Sequence, residues 1–151
     1  MTTSTKRDRF KLSLSIFLFL IKGRKIVVLK RGNTGWLDGF YSVPAGALDG
    51  NETLSEAVCR EAKEEVAVSV NPKDVKLVHT MHCLTEGSEW IGAFFVTKKW
   101  KGKPKLNEPE KHEEVKWNSI DSLPEDMIPY VKQALESYSN GIAYSEYGWK
   151  E

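Results

Sequence analysis

From Leu12 onward the chain alternates. Leu12, Leu14, Ile16, Leu18 and Leu20 fall on one side of an extended chain, with Ser13, Ser15, Phe17 and Phe19 on the other. This period of two marks a β-strand. One side is apolar throughout and the other turns from polar to apolar, which predicts a strand running from a sheet interior out to an edge. Lys22-Gly23-Arg24-Lys25 predicts a tight turn, and Ile26–Leu29 the returning strand of a hairpin. Residues 31–50 hold Gly32, Asn33, Gly35, Gly39, Pro44, Gly46 and Gly50, so a loop is expected, and a loop of that length in a compact domain is usually functional. The period then changes to that of a helix from about Thr53 to Val66, closed by Asn71-Pro72. Strands are predicted over 75–84 and 90–100, with Lys101-Gly102-Lys103-Pro104 as a turn. A short strand over 115–117 and an amphipathic helix over about 128–138 complete the pattern. This order predicts an α/β domain with a mixed sheet and helices on its faces. Residues 1–9 read as a flexible polar lead and 10–151 as a single domain.

Composition narrows the function. A chain of 151 residues with 40% hydrophobic content can fill one core. The net charge of +1, from 22 basic and 21 acidic side chains, argues against a nucleic-acid polymer as partner, since such proteins are usually strongly basic. A small anionic substrate held at a local site is compatible with it. With only Cys59 and Cys83, a disulfide framework is not expected, and a reducing, cytoplasmic setting is. Lys6, Arg7, Arg9 and Lys11 ahead of the run Leu12–Ile21 resemble a signal peptide on the surface. Ser13 and Ser15 interrupt that run, however, and no small-residue cleavage pattern follows it. It also falls well short of the roughly 20 apolar residues that span a bilayer, so no membrane partner is expected.

The helix around residues 53–66 carries the chemistry. Advancing about 100° per residue, Leu54, Val58, Cys59, Ala62 and Val66 share an apolar sector, while Glu56, Arg60 and Lys63 point away. Glu65 projects between Leu54 and Val58, inside that sector; Glu61 lies at its margin, and Glu64 is adjacent to both. A carboxylate turned toward a core is costly unless it is paired or bound to a cation, and three of them at i, i+3 and i+4 would repel. A divalent cation such as Mg²⁺ or Mn²⁺ relieves both problems; an internal salt-bridge network is the other reading. Arg60 can reach Glu56, Glu64 or Glu52 and so orient a ligand carboxylate.

These residues resemble the Nudix box: glycine, five residues, glutamate, seven residues, then Arg-Glu-aliphatic-x-Glu-Glu-x-Gly-aliphatic. Here the positions are Gly46, Glu52, then Arg60, Glu61, Ala62, Glu64, Glu65, Ala67 and Val68. Trp36 and Val43-Pro44-Ala45-Gly46 are similar to the family's tryptophan and Pro-Gly-Gly approach. The resemblance implies a Nudix α/β/α sandwich with helices on both faces of a mixed sheet, and hydrolysis of a diphosphate linkage by metal-activated water. It implies Glu61, Glu64, Glu65 and the Gly46 carbonyl as metal ligands, with Arg60 and Glu52 holding them. Ala45, Ala62 and Ala67 depart from the pattern. With alanine for glycine at 67, the helix is expected to end by a route other than a left-handed cap.

Many members use a further glutamate on a loop after the central strands as ligand or general base. Among Glu110, Glu113 and Glu114, the resemblance favours Glu113 or Glu114; an acidic loop in solvent is the alternative, and His112 reads as a bystander. Arg31 is a candidate for the substrate phosphates. The Lys98–Lys105 stretch reads as a solvated hairpin tip. His79 and His82 face opposite sides of a strand, against a shared zinc site. The aromatic tail, Tyr138 and Tyr144 to Trp149, is read as packing over the domain, leaving a homodimer open. The compact form with Trp36 ahead of the box is similar to MutT-like enzymes and implies a nucleotide substrate, NTP or dNTP, cleaved to NMP and pyrophosphate. ADP-ribose or a nucleotide sugar is the alternative substrate class. A non-catalytic nucleotide sensor is the alternative function.

Overall fold

The structure is a computed structural model that describes residues 7–150. Of the lead expected over residues 1–9, residues 1–6 lie outside the described residues, and Arg7, Asp8 and Arg9 are exposed.

Strand β1 (Ser13–Lys22) is central, as its two-sided apolar pattern requires. A turn at Gly23, whose φ of +60° is of the kind glycine readily adopts, leads into β2 (Lys25–Arg31). The two strands pair only beside that turn, at Ile21↔Ile26 and Lys22↔Lys25. Beyond it they part. The loop expected over residues 31–50 contains two short strands, β3 (Tyr41–Ser42), paired with β2, and β4 (Ala45–Ala47), paired with Ser15 to Phe17 of β1. Divergence of β1 and β2, with β4 between them, opens the sheet where the chemistry-bearing loop passes.

Helix α1 (Leu54–Val66) begins with a capping box in which the Thr53 hydroxyl accepts from the Glu56 N–H while the Glu56 carboxylate accepts from the Thr53 N–H. Its end corrects the sequence reading: Ala67 adopts the left-handed conformation at φ 60° and ψ 30°, donating to Lys63 O at 3.2 Å. Tertiary contacts hold it there, because the Lys105 N–H donates to Val66 O and the Asn107 side chain to Glu64 O.

Strands β5 (Lys76–Thr85) and β6 (Ser88–Thr97) form an antiparallel hairpin, and β6 lies parallel to β1 from Ser13↔Trp90 to Leu20↔Thr97. The strand expected to reach Trp100 stops at Thr97. The Lys98–Lys105 stretch is not a hairpin tip either: the next strand, β7 (His112–Ser119), pairs with β2 rather than β6. Residues 98–111 instead cross the end of α1, with Lys101 bridged to Ser69. Helix α2 (Pro129–Ser139) follows, and the tail forms an eighth strand, β8 (Tyr144–Tyr147), parallel to β5. Periodicity over four residues was too short to reveal that strand.

The sheet order β3-β2-β1-β6-β5-β8, with β4 on β1 and β7 on β2, is mixed. On one face Ile16, Leu18 and Leu20 meet Ala57, Val58, Ala62 and Val66 of α1. On the other, Phe17, Phe19 and Ile21 meet Val131, Ala134 and Leu135 of α2. The alternation along β1 thus sorts its side chains between two helical layers, giving the α/β/α sandwich. Among the described residues, no helix is long and apolar enough to cross a membrane. Cys59 and Cys83 are free.

Candidate active site

The face of α1 that departs from ordinary amphipathicity looks onto the opening beside β4. Glu65 is 5% exposed, and both of its carboxylate oxygens accept from the Ala45 N–H, at 3.1 and 3.3 Å. Burial pushes its pKa well above the usual carboxylate range against that hydrogen bond, and the charges of Glu61 and Glu108 add to the rise. Glu61 is raised too, by burial first; Arg60 opposes, and the Glu64 and Glu108 charges reinforce. The carboxylates of Glu61, Glu64 and Glu65 form an all-oxygen donor set, suited to a hard divalent cation. As they stand, no three His, Cys, Asp or Glu side chains among the described residues converge closely enough to grip one. Glu61 is engaged by Arg60, Glu65 by Ala45, and Glu64 is exposed.

Arg60 ties the box together. It donates through Nε and Nη2 to Glu52, at 3.0 and 2.9 Å, through Nη1 to Glu61 at 2.7 Å, and through Nη2 to Ala47 O at 3.2 Å. Glu64 lies at the limit of its reach, 3.5 Å from Nη1. Of the partners expected for Arg60, Glu52 is bonded, Glu64 is at the limit of reach and Glu56 is engaged in the capping box; one guanidinium links the box glutamates to strand β4. Glu52 also accepts from the Asp49 N–H, and these hydrogen bonds, Arg60's first, lower its pKa. Gly46 sits on β4 against the Glu61 carboxylate, where a Cβ would overlap its atoms.

Two cavities meet at this strand. One, of about 670 Å³, is lined by Gly46, Glu61, Glu65, Glu108, Glu110, Lys111 and His112, among others. The second, of about 420 Å³, lies under Trp36 and is walled by Phe17, Trp90 and Tyr130, with Ser15, Ser42 and Ser88 contributing hydroxyls. Arg31 and Ala45 to Ala47 line both. Arg31 donates to Trp36 O at 3.0 Å and to the Thr34 hydroxyl at 3.1 Å, with its guanidinium carbon 4.9 Å from the Trp36 ring centroid. Asp38 pins the loop by accepting from the Thr34 and Gly35 N–H groups.

The structure therefore brings together Gly46, Glu52, Arg60, Glu61, Glu64 and Glu65, with Arg31 and Trp36 at the adjoining chamber. Glu113 and Glu114 line neither cavity. Glu113 lies against Gly32, 3.9 Å from Lys30, and Glu114 accepts from the Tyr41 hydroxyl at 2.9 Å. From this region Glu108 and Glu110 both line the cavity, and Glu108, carried there by the segment that caps α1, is the one whose charge bears on Glu61 and Glu65. The resemblance pointed past it, to Glu113 and Glu114 beside Val115. His79 and His82 are spoken for separately. His79 bonds Ile142 O and the Ser145 hydroxyl, while His82 bonds Glu89 and packs against Trp149.

An α/β/α sandwich with a carboxylate helix above a cleft, beside an aromatic chamber, is the arrangement of the Nudix class. Residues 9–138 match the NUDIX domain family, and the chain belongs to it. The fold is shared with the MutT NUDIX hydrolase from Burkholderia pseudomallei, at TM-score 0.77 and 24% identity over 84% of this chain and 98% of that one. The MutT protein from Bacillus halodurans gives 0.70 at 21% identity, over 89% and 88%. In sequence, an 8-oxo-dGTP diphosphatase from Proteus vulgaris is 27% identical over 94 residues, 62% of this chain and 82% of that protein. A NAD-capped RNA hydrolase, NudC, from Stutzerimonas stutzeri (strain A1501) is 26% identical over 133 residues, 85% of this chain. The match takes in 43% of that relative, so the chain spans less than half its length.

Proposed function

We propose that this chain hydrolyses nucleoside triphosphates, NTP or dNTP, to nucleoside monophosphate and pyrophosphate. The observation that carries the reading is the pair of joined cavities: an aromatic chamber sized for a nucleoside opens, across Arg31 and β4, into an acidic one sized for phosphates and cations. MutT-named neighbours of the fold and a diphosphatase among the relatives in sequence support the same class.

Glu61, Glu64, Glu65 and the Gly46 carbonyl would hold Mg²⁺ or Mn²⁺. When bound, the cation neutralises phosphate oxygens and makes water a better nucleophile. Arg60, braced by Glu52, keeps the Glu61 carboxylate turned toward β4. Glu108 takes the role that the resemblance gave to Glu113 or Glu114, accepting the attacking water's proton, because it lines the cavity and its charge bears on Glu61 and Glu65. Trp36 stacks on the base, and Arg31 meets the phosphates between the two chambers.

The experiment is a panel of NTPs, dNTPs, 8-oxo-dGTP, ADP-ribose and nucleotide sugars with Mg²⁺, products separated by chromatography, and Glu64→Gln as the control for contaminating activity. Monophosphate plus pyrophosphate, lost in the variant, supports the reading. Cleavage of ADP-ribose or sugar nucleotides alone replaces the substrate class. Nucleotide binding without turnover in Mg²⁺ or Mn²⁺ favours a sensor.

A further inference from the structure

His112 is 5% exposed, and its Nδ1 is the single buried side-chain nitrogen or oxygen among the described residues that lacks a hydrogen-bond partner. Buried polar atoms are nearly always satisfied, so an orphan calls for a cause. Its surroundings supply one. His112 lines the larger cavity with Arg31 and Lys111, and with the carboxylates of Glu61, Glu65, Glu108 and Glu110. Pairing of β2 with β7 sets Arg31 opposite His112, and the register shift between Lys30 and Arg31 falls at that point. Two cations beside an unpartnered imidazole make poor company for a metal and good company for an anion.

We propose that His112 is a substrate-binding residue, donating a hydrogen bond to a phosphate oxygen of the diphosphate beside Arg31. This rests on the hydrolase reading of the same cavity. Burial, then Arg31 and Lys111, hold the His112 pKa below its ordinary value against the pull of Glu110. The neutral ring has one N–H to give, and a half-turn about Cβ–Cγ exchanges Nδ1 with a ring carbon, presenting either edge to the cavity. The cavity thus has an acidic wall for the cation and a basic wall for the anion it accompanies.

The test is calorimetric binding of inorganic pyrophosphate with Mg²⁺ to the wild-type chain, His112→Phe and His112→Gln. Long-range ¹⁵N–¹H spectra of the wild-type histidines are recorded with and without the ligand. Loss of about tenfold in affinity for His112→Phe, substantial recovery in His112→Gln, and a shift of the His112 ring nitrogens on saturation are expected. Affinity within twofold of wild type in His112→Phe, or ring nitrogens unmoved at saturation, overturns the proposal. The spectra decide alone if the phenylalanine variant does not fold. Pyrophosphate is not turned over in this assay, so the two readings fail separately. Binding through His112 with no hydrolysis of any nucleotide sinks the activity alone. Hydrolysis with an unmoved His112 sinks this inference alone.

Discussion

The Glu61 carboxylate packs against Gly46 so closely that a methyl group on Gly46 would overlap it. Space, not backbone freedom, is what glycine provides here, since its φ lies outside the left-handed region. Gly46→Ala should therefore displace Glu61 while leaving β4 paired to β1. The expected result is a ten- to hundredfold fall in kcat/KM and a higher Mg²⁺ requirement, at little cost in Tm. Initial rates against Mg²⁺ concentration check this; wild-type rates in the variant would show that Glu61 is free to sit elsewhere.

Arg60 bonds Glu52, Glu61 and Ala47 O at once. Lysine keeps the charge but not the planar fork. Arg60→Lys is expected to lower kcat by about tenfold or more with KM little changed, since it loosens groups that act together. A variant that alters KM alone would place Arg60 on the substrate instead.

Glu108 and Glu113, both after β6, separate by location. Glu108 lines the acidic cavity; Glu113 lies outside it, against Gly32. Glu108→Gln should cost about a hundredfold in kcat, and Glu113→Gln less than threefold. The reverse ranking would return the role to the position that the resemblance favours.

Ala67 holds a left-handed backbone that glycine adopts without penalty. Ala67→Gly is expected to stabilise the chain by about 1 kcal/mol, a rise in Tm of about 2–4 °C. Activity should be unaffected. Thermal unfolding measures it, and an unchanged or lower Tm would mean that lost methyl packing offsets the relief.

Why some of these features could be read from the sequence and others not follows from what each depends on. The β1 alternation, the α1 wheel and the misplaced Glu65 are local, and the spacing of one helix carries them. The left-handed Ala67 is set by contacts from Lys105 and Asn107, some forty residues away in sequence, which local propensity cannot anticipate. The same crossing segment brings Glu108 to the cavity, so the missed cap and the missed glutamate share a cause. β8 forms because β5 offers it an edge, and His79 fastens its start through Ile142 and Ser145. The orphan Nδ1 of His112 is visible only once β7 is paired with β2.

Glu65 gives a pH signature. Its folded-state pKa lies well above the ordinary carboxylate range, chiefly through burial, so the folded chain keeps a proton that the unfolded chain has lost. Stability then falls as pH rises from about 4.5 through the raised value. Glu61, raised for the same first reason, acts in the same direction. Asp38, Asp121 and Glu52, whose pKa values are lowered, contribute stability as pH rises, mostly below that window. His112, lowered, also contributes as pH rises, through the ordinary imidazole range. Comparison with Glu65→Gln isolates the one group, because the amide can still accept from Ala45. In the absence of divalent metal, the variant's Tm should match wild type at the acidic end and exceed it increasingly as pH rises toward the raised value, levelling off beyond it. Adding Mg²⁺ should raise the Tm of wild type and not of the variant, since a cation that binds only the folded state stabilises it. A gap between the two proteins that stays constant with pH would mean that Glu65 remains ionised throughout, and the buried carboxylate would need another partner.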